Sequence, residues 1–166
     1  MSNAEHTKQP IGLELRARLE DFLTAYALTI DDGDVDGWPA YFHADGFYQI
    51  TTRENHEANR PIGLMLCESR AMMEDRMLAL RTANIFEPHT YCHILGRPLF
   101  EAGAEGRVKC RSNFSVLRTM QDGRTEQFAA GKYIDEIAVD GSEPAFMSRR
   151  VVLESRRVDI LIVFPL

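Results

Sequence analysis

The chain has 166 residues, of which 45% are hydrophobic and 27% charged, with a formal charge of -6. That length predicts one domain able to fold without a disulfide or structural metal as a staple, and the acidic balance argues against a nucleic-acid backbone as partner. No apolar run approaches the roughly 18 residues of a membrane span, and the first residues lack the basic-then-apolar order of a secretory leader, so the expectation is a cytoplasmic protein that engages neither membrane nor nucleic acid.

Residues 1–10 are expected to be disordered or a tag remnant, since Ser2-Asn3-Ala4 has the form of a cloning scar. Residues 11–166 are expected to form the single domain. Leu15, Leu19, Phe22, Tyr26 and Ile30 recur at helical spacing and predict an amphipathic helix over residues 11–30. Residues 31–37 end it with two glycines and a run of carboxylates. A short second helix is expected over residues 38–42, with Pro39 in its first turn, and residues 47–52 have the composition of a strand. Ser69 is placed to cap a third helix over residues 70–83, with Met73, Met77 and Leu80 as its stripe. After Pro88 the pattern turns to strands over residues 91–100, 108–120, 126–139 and 145–154. Between them lie residues 103–106, Asp122-Gly123 and Asp140-Gly141, the last two being hairpin signals. Consecutive strands with short connections predict an antiparallel meander, and strands this long must coil. The predicted class is therefore α+β, with N-terminal helices packed on one face of a strongly curved antiparallel sheet. The almost wholly apolar run at residues 159–165 is expected as a last strand, which must be covered by its own sheet, by the core or by another subunit.

Several clusters invite a chemical reading. Asp32, Asp34, Asp36 and Gly37 match the first half of a calcium loop, but the position that should hold a bidentate Glu is His43, so a solvated helix-ending turn is the better reading. His89, Cys92 and His93 suggest a metal. On a strand, however, the two imidazoles face one side and the thiol the other, so a His pair with Glu87 or Asp75 is the most that pattern supports. Cys67, Cys92 and Cys110 form no C-x-x-C pair and read as buried, reduced thiols. None of the three is followed by the C-x-H spacing of a Rieske cluster. His43, Asp45, Tyr48 and His93 are suitable types for acid–base work in a cavity, and Tyr26 has the hydroxyl of an oxyanion donor, although its helical spacing fits core packing better. Arg60, Arg70, Arg76, Arg81, Arg97, Arg149, Arg150, Arg156 and Arg157 read as interface residues or as a solvated face.

An ordered series of segments runs from about residue 12 to the end: Tyr26-Ala-Leu-Thr-Ile-Asp-Asp-Gly-Asp34, Gly37-Trp-Pro-Ala-Tyr-Phe42, Tyr48-Gln-Ile-Thr-Thr-Arg-Glu-Asn55, Ser69-Arg-Ala-Met-Met-Glu-Asp-Arg76, Leu80-Arg-Thr-Ala-Asn-Ile-Phe86, Tyr91-Cys-His-Ile94 and Val151-Val-Leu-Glu-Ser-Arg156. This series resembles the small (beta) subunit of aromatic-ring-hydroxylating dioxygenases, nearest in character to those acting on anthranilate, benzoate and salicylate. The resemblance implies a cone-shaped nuclear transport factor 2-like, cystatin-like fold, similar also to scytalone dehydratase. It implies a structural subunit with no cofactor or metal of its own. The partner alpha subunit would carry the [2Fe–2S] Rieske cluster, the mononuclear iron and the substrate pocket, in an α3β3 assembly with beta–beta contacts. One departure is Cys92, where many relatives are expected to have Arg. Arg76, Arg81, His89, Tyr91, His93, Arg97 and Arg156 are the candidate interface residues. The competing reading is a stand-alone isomerase or dehydratase of the same fold, working through His43, Asp45, Tyr48 and His93. A third is a ligand-binding or homo-oligomeric module without chemistry.

Overall fold

The apolar stripe of the first helix decides where the rest of the chain packs. In the computed structural model, which describes residues 10–83, 86–155 and 162–166, helix α1 spans Leu13–Asp31 and buries Leu19, Leu23, Tyr26, Ala27 and Ile30. Leu15 and Phe22, expected on the same stripe, lie partly buried at its margin. The helix stops where Gly33 takes a φ of +79°, a backbone state that costs glycine little.

A single 3₁₀ turn, Trp38–Tyr41, replaces the expected second helix and seats Trp38 in the core with no exposed surface. Strand β1 follows at once as Phe42–Thr52, starting earlier than the expected residue 47. The one-turn helix α2, Arg53–Glu57, is capped by Thr52, whose hydroxyl accepts from Asn55 N–H at 3.3 Å. Strand β2 is only Met65–Cys67. Both are too short to leave a periodic signal, and neither was expected. Helix α3, Arg70–Ala83, has the bounds that its cap and stripe predict. Ser69 Oγ accepts from Met72 N–H at 3.3 Å, and Met73, Met77 and Leu80 are buried.

The remaining strands are β3 (His89–Leu95), β4 (Leu99–Ala102), β5 (Arg107–Met120), β6 (Thr125–Ala138) and β7 (Ala145–Leu153). Among the described residues they complete a seven-stranded sheet in the order β2-β1-β7-β6-β5-β3, with β4 also paired to β5. The antiparallel run from β3 through β7 is the expected meander. Its first member, expected as one strand over residues 91–100, is two, because Gly96-Arg97-Pro98 interrupts it. Gly96 N–H still donates to Asn113 O at 2.8 Å, but Pro98 has no N–H to continue the ladder. β1 departs from the meander by pairing parallel to β7. Register shifts at Val116/Leu117 and Glu136/Ile137 coil the long strands. Helix α1 lies against β3 and helix α3 against β1, so the helices share one face of the curled sheet.

The apolar run expected as a final strand behaves differently. Residues 159–161 lie outside the described residues, and residues 162–166 are not a strand. They enter the core instead, where Leu166 has no exposed surface and Phe164 packs against Phe86, His89 and Tyr91. Pro165, lacking an N–H, is a poor ladder member, and the described part of the run, residues 162–165, is covered by the core.

Candidate functional site

The inner faces of β6 and β7 put Asp135 and Arg149 side by side under α1. Arg149 donates to both Asp135 carboxylate oxygens at 2.9 Å, and the two residues are only 4% and 2% exposed. Three rings pack around the guanidinium: Cζ lies 4.0 Å from the Tyr133 centroid, 4.2 Å from Tyr26 and 4.3 Å from Phe146. Burial by itself lowers the Arg149 pKa, but the Asp135 carboxylate more than offsets this, and the net direction is upward. Arg149, expected at an interface or on a solvated face, is instead buried, which overturns that expectation. Alternation along β7 explains it, since Arg149, Val151 and Leu153 share the apolar face.

Above this pair lies a polar chain. Trp38 Nε1–H donates to the Tyr26 hydroxyl at 3.0 Å. Tyr26 and Tyr48 hydroxyls both approach Leu166 O, at 3.0 and 3.1 Å, and Leu166 N–H donates back to the Tyr48 oxygen at 2.8 Å. Burial raises the pKa of Tyr26, Tyr48 and Tyr133, and Tyr26 further opposes ionisation of the other two phenols.

His93 sits on β3, facing inward with its side chain wholly buried. Its Nδ1 lies 2.5 Å from Asp31 Oδ1, and its backbone N–H donates to Asp31 Oδ2 at 2.8 Å. Asp31, the last residue of α1, was missed by sequence reasoning. It extends the buried stripe four residues beyond Ala27, and that was the available signal. His89 and Tyr91 share the inward face with His93, whereas Cys92 is exposed on the outer face. The expectation of three buried thiols therefore fails at Cys92, for the same reason of alternation. Cys67 and Cys110 are buried, and burial pushes both thiols up.

The proposed acid–base set does not converge. His43 and Asp45 have side chains 49% and 90% exposed, 3.9 Å apart at the irregular start of β1. Tyr48 is fully buried in the same strand, and His93 lies on the far edge strand of the sheet. Of that set, only Tyr48 and His93 reach the interior. The calcium-like turn uses its carboxylates locally: Asp34 Oδ1 accepts from Gly37 N–H at 3.0 Å, and Asp36 pairs with Arg81 at 2.8 Å. Among the described residues no group of three His, Cys, Asp or Glu side chains is arranged to hold a metal ion. The donor set also does not fit a Rieske cluster, because Cys92 faces outward and the two buried thiols lie on β2 and β5, which β1, β7 and β6 separate in the sheet.

Of the candidate interface residues, Arg76, Arg81 and Arg97 are exposed. His89, Tyr91 and His93 face the chain's own interior, and Arg156 lies outside the described residues. The outer sheet face carries two open grooves of about 430 Å³ each, which share Ile134 and Arg150. The Arg150 guanidinium there lies 4.8 Å from the Phe47 ring.

Helices on one face of a curled sheet, closed over a mixed aromatic and polar interior, define a nuclear transport factor 2-like cone. Within that class the chain matches the family described as ring hydroxylating beta subunit, over residues 25–159, and it belongs to that family. It is 38% identical to the terephthalate 1,2-dioxygenase terminal oxygenase component subunit beta 2 of Comamonas sp., over 87% of this chain and 94% of that one. It is 31% identical to the anthranilate 1,2-dioxygenase small subunit of Burkholderia cepacia, over 82% and 85%. A solved beta subunit assigned to an aromatic-ring-hydroxylating dioxygenase of Novosphingobium aromaticivorans superposes with a TM-score of 0.84 at 32% identity, over 92% and 97%. The chain is thus a subunit of a multicomponent ring-hydroxylating dioxygenase, and the family implies an alpha-subunit partner.

Proposed function

We propose that this chain is the structural subunit of an oxygenase that dihydroxylates a carboxylated aromatic ring with O2 and electrons from NAD(P)H. The large subunit carries the [2Fe–2S] Rieske cluster, the mononuclear iron and the substrate pocket, and the two assemble as a cytoplasmic α3β3 hexamer with beta–beta contacts. The observation that carries this reading is the family match across residues 25–159. The terephthalate and anthranilate named for the two relatives support an aromatic acid as substrate. Arg76, Arg81 and Arg97 are the interface candidates that remain exposed, while His89, Tyr91 and His93 serve the interior.

The test is co-expression with a large subunit of a ring-hydroxylating dioxygenase from the same genome. The chain alone is expected to purify without iron and without turnover. Together the two are expected to co-elute and to oxidise one of terephthalate, anthranilate or benzoate. Stoichiometric iron on the isolated chain, or a large subunit that folds and turns over equally well without it, overturns the proposal.

A further inference from the structure

The structural role leaves the polar groups of the interior unused. Two phenols, Tyr26 and Tyr48, aim at a single oxygen, the main-chain oxygen of Leu166, at 3.0 and 3.1 Å. Two buried donors converging on one acceptor form a seat for a carbonyl or carboxylate oxygen. The guanidinium of Arg149, 4.2 Å from the Tyr26 ring centroid, is already paired with Asp135, so the two phenols are the groups that hold the oxygen. In the same interior, His93 Nδ1 faces the Asp31 carboxylate at 2.5 Å. An ionised carboxylate only accepts, so in the neutral imidazole Nδ1 holds the proton and Nε2 is a bare acceptor. That Nε2 is buried without a hydrogen-bond partner among the described residues, and so is the Tyr133 hydroxyl. Phe164, two residues before the phenol-bound Leu166, packs 5.7 Å from the Tyr91 ring, which lies 6.3 Å from the His93 ring, so the tail joins the phenol end of the interior to the imidazole end. Buried polar atoms left unpaired are costly, and a hydroxyl-bearing occupant pairs with them.

We propose that this interior is a binding cavity for a small hydroxylated aromatic carboxylic acid, and that residues 162–166 occupy it as a tethered stand-in. The carboxylate takes the place of the Leu166 main-chain oxygen on Tyr26 and Tyr48. The ring takes the apolar space of the tail side chains, and the ring hydroxyl donates to His93 Nε2. Acid and tail exclude one another, so ligand binding releases the tail. The site is built from this chain's residues alone, and it stands or falls separately from the proposed hexamer.

Trp38 is the chain's one tryptophan, and its indole N–H donates to the Tyr26 hydroxyl at 3.0 Å, so its fluorescence reports on the cavity. The experiment titrates 4-hydroxybenzoate into the full chain and into a chain lacking residues 162–166, with benzoate and phenol as single-ended controls. Trp38 emission and calorimetry are the readouts. The shortened chain is expected to bind about tenfold more tightly, as when an intramolecular competitor leaves about a tenth of the full chains competent. 4-Hydroxybenzoate is expected to bind more tightly than either control. Tyr48→Phe in the shortened chain weakens binding about fivefold, the loss of one hydrogen bond, and a synthetic peptide of residues 162–166 competes. A shortened chain that melts cooperatively but gives no saturable signal overturns the proposal. So does equal affinity in the two chains, or indifference to Tyr48→Phe. If the shortened chain does not fold, the full-length Phe164→Ala/Leu166→Ala variant, whose tail has lost its side-chain hold, is judged by the same outcomes.

Discussion

Arg149 is gripped by a carboxylate and three rings, so its charge has no route to water. Removing it alone strands Asp135 in the interior. Arg149→Met is therefore expected to cost about 3–5 kcal/mol, whereas Arg149→Met/Asp135→Leu recovers much of that by replacing the pair with apolar groups. Urea denaturation of the wild type, both singles and the double closes the cycle, and strictly additive losses would show that the pair is not coupled. The buried phenols give a second expectation. Burial raises the folded pKa of Tyr26, Tyr48 and Tyr133 above the ordinary value of 10.0. The folded state then keeps protons that the unfolded chain releases, so this contribution to stability is complete below pH 10 and is lost as pH rises above it. Near-ultraviolet tyrosinate absorbance from these three phenols should appear only together with loss of near-ultraviolet circular dichroism. Ionisation in a still-folded protein would mean that water reaches them. At this scale the sequence was partly legible. Inward His93 follows from alternation, but Asp31 reads equally well as a helix-ending carboxylate, because only the fold brings it to a residue 62 positions away.

Among the elements, β6 and β7 are the pair with least tolerance. A Cβ on Gly131 would run into the Val152 carbonyl of the neighbouring strand, at the end of the ladder where β7 also pairs with β1. Gly131→Ala is expected to cost about 1–3 kcal/mol as an overpacking change, read as a lowered midpoint in urea with unchanged slope. A neutral effect would mean that the two strands separate without penalty. The contrast between α3 and β1 shows what an element must carry to be read from sequence. α3 has a capping serine and a stripe of three apolar residues, both local signals, and its bounds follow from them. The parallel pairing of β1 with β7 joins residues about a hundred positions apart and has no local mark. The apolar tail was ambiguous for another reason: a buried strand and a core-filling segment require the same composition, and Pro165 was the single residue that favoured the second.

For the whole molecule, the cone is closed by its own tail on the inside and is left to present charge and mixed grooves on the outside. That division explains why the inward imidazoles are poor interface residues and the exposed arginines of α3 are better ones. Arg81 makes an exposed ion pair with Asp36, both side chains being about half exposed. Such a pair contributes about 0–1 kcal/mol, so its loss should leave folding almost unchanged. Arg76 lies on an exposed position of the same helix. Reversal of both charges, Arg76→Glu/Arg81→Glu, is therefore a clean probe of assembly: like charges brought together across an interface cost several kcal/mol. The double variant is expected to melt within a few degrees of the wild type and to lose co-elution with the large subunit by about tenfold or more, a change of about 1.4 kcal/mol. Because rim charges are screened, the residual association should fall further as ionic strength is lowered, where repulsion is strongest. Wild-type co-elution in the variant across that salt range would remove these arginines from the interface and leave the outer face of the sheet as the surface to test next.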